Sequence, residues 1–247
     1  MHIHLHTTDS TNSHLRRMIA EGQHLPDMTI VSAHEQTAGR GQKGNSWETE
    51  PGMNAIFSLL CHPVTIPPTH QFILSQCIAI AISQTLSVRT DGITIKWPND
   101  IYWNDRKISG TLIECDLKGK TISNCIIGCG ININQTLFRS DAPNPVSLKN
   151  ITGKDYDTET ILHEVAERFA TLYNEAVKGN DTHITALYMQ NLYRKDGLHP
   201  YEDCNGTFLA RISSIEPTGH LILETEQGET RRYEFKEVKF VLPQHSF

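Results

Sequence analysis

The sequence has no excess of positive charge, no long hydrophobic run and no closely paired cysteine motif. Among its 247 residues, 22 Lys and Arg stand against 28 Asp and Glu, so the formal net charge is −6. Proteins that coat DNA or RNA carry the opposite balance, so we expect no nucleic-acid partner. With 38% hydrophobic and 20% charged residues, the composition is typical of a folded globular protein.

The most apolar stretch runs from Phe72 to Leu86 and is interrupted by polar residues such as Ser75 and Gln84. It is too short and too polar to span a bilayer and predicts a buried helix instead. The chain starts without the basic segment and apolar run of a signal peptide. We therefore expect a cytoplasmic protein without a membrane partner.

The cysteines form no CxxC pair and lie mostly within apolar segments. We expect all of them to be reduced thiols in the core, as is usual in a cytoplasmic protein. The six residues are Cys61, Cys77, Cys115, Cys125, Cys129 and Cys204.

Three histidines near the N-terminus alternate along the chain, at His2, His4 and His6. In a strand they share one face. Since no neighbouring residue in the sequence supplies a closing ligand, a solvated strand face is favoured over a metal site.

Periodicity predicts an α+β protein with strands near 29–34, 55–61 and 93–97 and a hairpin with arms near 108–116 and 121–133. Helical spacing is found in three main regions, around 11–19, 70–87 and 161–176, with a further helix predicted at 182–193 and a loop at 140–150. From about Lys195 the pattern changes to short alternating strands, which is typical of a small barrel. We predict a domain over 1–195 and a second over 196–247.

The segment Gly39-Arg40-Gly41-Gln42-Lys43-Gly44 fits G-x-G-x-x-G. The dinucleotide-binding form of this motif requires a helix directly after it, and residues 45–52 show no helical periodicity. Two interpretations remain open from the residues alone. A flexible loop could wrap an anion with backbone N–H groups and basic side chains, or it could be a mobile surface loop.

Two further clusters carry groups suited to anionic ligands. Lys96-Trp97-Pro98-Asn99-Asp100 is followed by Arg106-Lys107-Ile108-Ser109-Gly110, in which two lysines and an aspartate could hold a carboxylate against a phosphate. A capped turn with solvated lysines explains the same residues. Gly128-Cys129-Gly130 and Asn132 end the hairpin, where a ligand could approach the backbone or a bulge could end the strand.

In this order and spacing, the clusters resemble those of the biotin–protein ligases, and the resemblance runs from Asp9-Ser10-Thr11-Asn12 to the C-terminal strands. It implies a mixed sheet with helices, related to class II aminoacyl-tRNA synthetase cores, followed by an SH3-like barrel. It also implies an enzyme that activates biotin with MgATP as biotinyl-5′-AMP and transfers it to a lysine of a biotin carboxyl carrier domain. Since the first motif lies at residue 10, no room is expected for the DNA-binding domain of bifunctional members.

The resemblance also assigns roles to individual residues. The catalytic set is Arg40, Lys96, Asp100 and Lys107. The set implied for biotin is Ser10, Thr11, Asn12, Gln36, Gly39, Arg40, Lys107 and Gly110. The set implied for ATP and the adenylate is Arg40, Gly41, Gln42, Lys43, Gly44, Trp47 and Asn132. Mg²⁺ is expected to arrive with ATP, without an assigned protein ligand or a tightly bound prosthetic group.

Each role has a structural alternative. Ser10 or Thr11 could cap a helix, Asp100 could only orient Lys107, and Trp47 could be a core residue rather than a platform for adenine. The loop also departs from the family pattern, since Gln42 and Asn45 stand where basic residues are common. We therefore predict weaker retention of the adenylate than in relatives with more basic loops.

Two other functions compete with this interpretation. A lipoate or octanoyl ligase of the same superfamily typically has a different arginine-rich loop, and a non-enzymatic biotin-binding regulator is disfavoured by the acidic charge. The sequence leaves the oligomeric state open, including a homodimer.

Overall fold

A computed structural model describes residues 1–139 and 144–242, except for the side chain of Lys43. Its first strands and helices are β1 (His2–Thr8), α1 (Thr11–Ala20), β2 (Thr29–Gln36), β3 (Ala55–Cys61), α2 (Phe72–Ser87), β4 (Ile93–Lys96), β5 (Asp100–Trp103), β6 (Arg106–Lys118) and β7 (Thr121–Ile131). They are followed by α3 (Leu148–Thr152), α4 (Thr158–Ala176), α5 (Asp181–Gln190), β8 (His199–Asp203), β9 (Gly206–Ile215), β10 (Leu221–Thr225), β11 (Thr230–Tyr233) and β12 (Lys239–Phe240). Short 3-10 turns occupy Gln42–Gly44 and Pro68–His70.

The first seven strands form one mixed sheet in the order β1-β2-β3-β7-β6-β5-β4. β1 and β2 are parallel, and every other neighbouring pair in this sheet is antiparallel. The predicted α+β class with a mixed sheet is therefore confirmed.

Helices cover both faces of this sheet because its central strands are apolar on both sides. β3 is buried at all seven positions. Phe57 and Leu59 point into the main core with α2 and α4, whereas Leu60 joins a smaller cluster under α1. α2 is buried almost all round, which explains its continuous apolar run. No helix in the described part of the chain is long and apolar enough to cross a membrane.

The C-terminal strands form a second, antiparallel sheet in the order β11-β10-β9-β8-β12. In the described residues β11 and β12 are its two edges, so the structure shows a sheet but no closed barrel. Side chains such as Tyr201 and Leu223 belong to the same core cluster as α2. The two sheets are thus joined by continuous apolar packing.

Several local predictions needed correction. β5 and β8 were not predicted, because Asp100–Trp103 is short and His199–Asp203 lacks clear alternation. Within the predicted loop over 140–150, residues 140–143 lie outside the described part and α3 begins at Leu148. All six cysteines are free, and four of them are buried as expected. Cys204 is exposed and Cys115 is half-buried, so the expected core location was wrong for these two.

Candidate active site

A cavity of about 760 Å³ opens beside the centre of the seven-stranded sheet. Four segments form its wall: the start of α1, the glycine-rich loop, the turn between β4 and β5, and the facing parts of β6 and β7. Phe235, which follows β11, adds a side chain from the C-terminal region. Segments far apart in the sequence therefore meet around one space.

The start of α1 is held by a buried polar network. Gln36 Oε1 accepts hydrogen bonds from Thr11 N at 2.8 Å and Thr11 Oγ1 at 3.2 Å. Ser58 Oγ, on β3, donates to Thr11 Oγ1 at 2.7 Å. Ser10 is the N-cap residue, yet its side chain makes no capping hydrogen bond. The capping explanation therefore does not account for the Ser10 hydroxyl, and Ser10 is one of the residues that line the cavity.

Asn12 joins α1 to β6 and β7. Its Nδ2 donates to Glu114 Oε2 at 2.9 Å, and its carboxamide lies over Gly128, where an added Cβ would overlap it. Glycine at 128 therefore makes room for a protein side chain. The pairing of β7 is regular at this residue, so the alternative of a bulge is wrong.

Glu114 also anchors Arg40. Arg40 Nη2 donates to Glu114 Oε1 at 2.8 Å, and Nη1 donates to Ser13 Oγ at 3.3 Å. Burial opposes the charge on Glu114, but hydrogen bonds from Asn12 and Arg40 outweigh it and hold the pKa of this carboxyl below its ordinary value. The carboxylate thus ties the loop to both α1 and the sheet.

The glycine-rich loop is a small folded hairpin. Arg40 and Ser46 form an antiparallel bridge, and Gly41 N donates to Asn45 O at 2.7 Å. The Gly41 N–H is therefore used inside the loop, contrary to the expectation that it would be exposed for an anion. Gly44 has φ +87°, a conformation that favours glycine. Gln42 Nε2 donates to Thr111 O at 3.2 Å and fixes the loop to β6.

The Trp47 indole lies on a surface made by two glycines. Gly110 on β6 pairs with Gly130 on β7, and a Cβ on either residue would run into the indole ring. Trp47 Nε1 is buried and has no hydrogen-bond partner among the described residues. Trp47 is thus a wall residue of the cavity rather than part of either apolar core cluster.

Lys107 and Asp100 form an ion pair on adjacent strands. Lys107 Nζ lies 2.8 Å from Asp100 Oδ1, and both side chains are about a quarter exposed, at 27% and 25%. Lys107 Nζ also lies 5.7 Å from the centroid of the Trp47 ring. The ammonium therefore faces the cavity between a carboxylate and an aromatic surface.

Lys96 is more enclosed. Its Nζ lies 5.2 Å from the ring centroid of Tyr102 and 4.9 Å from that of Phe240, which belongs to the C-terminal sheet. Burial lowers the pKa of the Lys96 ammonium below its ordinary value, while the charge of Asp100 opposes this shift. Aromatic faces thus replace part of the water around this cation.

The cavity brings most of the predicted site residues together. They are Ser10, Thr11, Asn12, Gln36, Arg40, Gly41, Gln42, Gly44, Trp47, Lys96, Asp100, Lys107 and Gly110. Gly39 is not among the lining residues, and a side chain there would meet the Trp47 backbone. Asn132 is not among them either; its Nδ2 donates to Val146 O at 3.1 Å, and its buried Oδ1 has no hydrogen-bond partner among the described residues. The side chain of Lys43 lies outside the described part of the chain.

Three residues that support the site were not predicted from the sequence. Ser58 supports α1 from beneath, Glu114 holds the loop, and Phe240 covers Lys96. Ser58 had a visible signal, because it is the lone polar residue in the apolar segment 55–61. Glu114 and Phe240 had none, since their partners are distant in the sequence.

The site is suited to holding anions. Arg40, Lys96 and Lys107 bring three cationic groups to one wall, and Asp100 and Glu114 hold two of them in fixed positions. Paired donors of this kind can neutralise charge that develops on a bound oxygen.

Comparison with known proteins gives both family and fold matches. The model of the biotin/lipoate A/B protein ligase family matches residues 5–132. The chain is 30% identical over 216 residues to the bifunctional ligase/repressor BirA of Bacillus subtilis, covering 84% of this chain and 65% of that protein. It thus spans just under two thirds of this relative's length. It is 32% identical over 172 residues to the biotin–[acetyl-CoA-carboxylase] ligase of Paracoccus denitrificans, covering 66% of this chain and 69% of the relative.

Among solved structures, the biotin protein ligase from Aquifex aeolicus in complex with biotin and ATP has the same fold. The two superpose with a TM-score of 0.80 at 23% sequence identity, and the match covers 98% of this chain and 99% of the other. At this identity the similarity establishes the fold alone.

Proposed function

Because the chain belongs to the biotin/lipoate A/B protein ligase family, we propose that it is an ATP-dependent biotin–protein ligase. It activates biotin as biotinyl-5′-AMP and transfers the biotinyl group to a lysine of a biotin carboxyl carrier domain. The observation that carries this proposal is the convergence of the Lys107–Asp100 pair, Arg40 and the start of α1 on one cavity. MgATP and biotin are substrates in this scheme.

In the first step a carboxylate oxygen of biotin attacks the α-phosphorus of ATP. The new P–O bond forms as the bond to the β-phosphate oxygen breaks, and pyrophosphate leaves. Two anions must approach each other, so the main task of the protein is positioning and charge neutralisation. Lys107 Nζ and the Arg40 guanidinium serve this task, because both are directed and held by carboxylates at 2.8 Å.

In the second step the carrier lysine attacks the acyl carbon and AMP leaves. A free lysine has a pKa of about 10.4 and is mostly protonated at neutral pH. Asp100 contacts Lys107 through Oδ1, and its second oxygen can accept the proton of the incoming amine. Lys107 in turn stabilises the negative charge that develops on the acyl oxygen.

Biotin is placed between the start of α1 and the sheet. The Ser10 hydroxyl has no capping role, and the neighbouring Thr11 and Gln36 are fixed by mutual hydrogen bonds. These groups supply the donors and acceptors that a ureido ring requires. Asn12 and Gly110 complete this side, Asn12 by bracing α1 against β6 and Gly110 by leaving space beside Lys107.

The adenylate is placed on the side of the loop. Arg40, Gly41, Gln42, Gly44 and Trp47 all line the cavity there. Trp47 offers the flat surface for adenine, and Lys43 belongs to the same loop. Gly39 begins this loop, and its lack of a side chain leaves room for the Trp47 backbone and for Gln36 on the biotin side. Asn132 reads the adenine edge in this scheme: its Nδ2 keeps the bond to Val146 O, while its buried Oδ1 has no hydrogen-bond partner among the described residues and can accept one.

The direct test is biotin transfer to a purified biotin-carboxyl-carrier domain with MgATP, measured by mass spectrometry and pyrophosphate release. We expect one biotinyl group per carrier and one pyrophosphate per transfer, with none when lipoate replaces biotin. Transfer of lipoate alone would indicate the other branch of the family. Biotin binding without pyrophosphate release would indicate a regulator.

We further propose a catalytic domain over 1–195 and an SH3-like domain over 196–247, of which residues 243–247 lie outside the described part. The change from helices to short antiparallel strands after Lys195 supports this boundary. Limited proteolysis followed by mass spectrometry tests it, with first cleavage expected near residue 195. The partner that we propose is a carrier domain of a biotin-dependent carboxylase. Whether the free enzyme is a monomer or a homodimer is decided by its molecular mass in sedimentation.

A further inference from the structure

A cluster of histidines and one glutamate joins β1 to the first turns of α4. His2 lies on β1, while Glu159 and His163 lie on α4. One ligand atom from each of these three side chains can be chosen so that all lie within 4.8 Å of one another. The cluster lies at the start of β1, whereas Ser10 follows the end of this strand, and the six steps from His2 to Thr8 alone span about 20 Å at about 3.3 Å per residue. It is therefore separate from the cavity.

The local geometry follows from two regular elements. Glu159 and His163 are four residues apart and share one face of α4, with His163 Nε2 3.7 Å from Glu159 Oε2. The His2 and His163 rings meet edge to face with centroids 5.2 Å apart. His4 lies on the same face of β1 as His2, and its Nδ1 is 3.2 Å from Glu159 Oε1.

We propose that His2, Glu159 and His163 form a binding site for a divalent transition-metal ion of the Zn²⁺ class. Two imidazoles and one carboxylate form a donor set that suits Zn²⁺, Co²⁺ and Ni²⁺. Mg²⁺ and Ca²⁺ prefer ligand sets made of oxygen atoms only. Three protein ligands leave a fourth position for a water molecule or another small ligand.

The surroundings support a preformed site. Ser32 Oγ, on β2, lies 2.8 Å from His2 Nε2 and 2.9 Å from His4 Nδ1. The contact with Nε2 restricts the His2 ring and would leave its Nδ1 as the ligand atom, as partners of metal-binding histidines commonly do. His4 Nδ1 is instead shared between Ser32 and Glu159. The side chains of Glu159 and His163 are 41% and 53% exposed, so an ion can reach them from solvent.

The expected role is structural. β1 is an edge strand that pairs only with β2 among the described strands. An ion bound by β1 and α4 would tie this edge to a helix of the main core. Since it would bind the folded chain in preference to the unfolded chain, it would raise the melting temperature.

The test uses chain without a histidine tag and with Cys204→Ser, because Cys204 is an exposed thiol that could bind metal itself. Calorimetric titration with Zn²⁺ and the visible absorption of Co²⁺ are measured for the parent, His163→Gln, His2→Gln and His6→Gln. His6 is the matched control, since it lies on the same face of β1 but stacks on His34 instead.

We expect one ion per chain in the parent and in His6→Gln, with an affinity at least about 10-fold lower in His163→Gln and His2→Gln. At 100 times the dissociation constant, Zn²⁺ should raise the melting temperature of the parent by about 5 to 10 °C. Unchanged melting temperatures of the metal-free variants show that they remain folded. Absence of saturable binding in the parent, or equal loss in His6→Gln, would overturn the site. Adenylation is not part of the readout, so the result is independent of the proposed ligase activity.

Discussion

The cavity has two cation–carboxylate pairs of equal length but different origin. Lys107 and Asp100 are seven residues apart on paired strands, and both side chains are about one quarter exposed. Arg40 and Glu114 are 74 residues apart, and Arg40 lies on a loop with 43% of its side chain exposed. A hairpin fixes the first pair, whereas the second depends on how the loop closes over the sheet. Equal distances therefore arise in two ways, and we predict that the first pair affects the chemical step more and the second pair affects ligand retention more.

Lys107→Ala should have the largest effect. It removes the ammonium that we propose at the reacting carboxyl group, so kcat for pyrophosphate release should fall by about 100- to 1,000-fold. Steady-state pyrophosphate release measures this loss, with Lys118→Ala on the exposed end of β6 as the control. A loss below 10-fold (about 1.4 kcal/mol) would remove the distinction between the two pairs.

Gly130→Ala tests whether the position of the Trp47 indole matters for both ion pairs. The new Cβ would overlap the Trp47 ring, which must shift together with the loop. Since a displacement of about 1 Å can cost about 100-fold, we expect kcat/KM for ATP to fall by up to that factor while the melting temperature changes little. Gly119→Ala, with no atom within 4 Å of its added Cβ, is a spatial control for added bulk, although its positive φ adds strain. An equal loss of kcat/KM in Gly130→Ala and Gly119→Ala would show that the position of the Trp47 indole does not matter for the reaction.

Glu114→Gln should weaken the binding of ATP more than it slows the chemical step. It keeps a hydrogen-bond acceptor for Arg40 but removes the charge, so KM for ATP should rise by about 10-fold with a smaller change in kcat. Because the pKa of the Glu114 carboxyl is below its ordinary value, the wild-type pair persists at neutral pH and is lost only as acid protonates the folded carboxyl. The difference between wild type and variant should thus stay constant across neutral pH. A kcat loss equal to that of Lys107→Ala would contradict the comparison.

Phe240→Leu should have the smallest effect. It removes one of the two rings beside Lys96 while retaining an apolar side chain. Loss of one cation–π contact of about 0.5 to 1 kcal/mol predicts a two- to five-fold change in kcat. Loss of the ring's attraction for the ammonium would lower the pKa of Lys96, whereas entry of water would raise it toward its ordinary value. NMR titration of the lysine ammonium distinguishes the two: we expect a lower pKa, and a higher pKa would show that Phe240 acts mainly by excluding water.

The main strands and helices could be predicted because their signals are local. β3 is a continuous apolar run, and α4 repeats apolar residues at helical spacing. The ordered motifs also predict most of the residues that line the cavity. The oligomeric state, the SH3-like barrel and the cytoplasmic location remain predictions.

Other features could not be predicted from neighbouring residues. For Gly128 and Gly130 the sequence left open a ligand's approach or a bulge, and in the fold Asn12 lies over Gly128 while the Trp47 indole lies over Gly130 and Gly110. The three alternating histidines lacked a closing ligand in the sequence, and α4 supplies Glu159 from more than 150 positions later. In both cases the partner is chosen by packing between elements.

By itself the sequence determined the alternation of apolar residues, the order of the motifs and the residue types available for anion binding. Those properties arise from the chemistry of each residue and its near neighbours. The tertiary structure decided which carboxylate holds which cation, how the loop folds and which histidines meet Glu159. Hydrophobic burial brings distant strands and helices together, and the short range of hydrogen bonds and ion pairs then selects the partners.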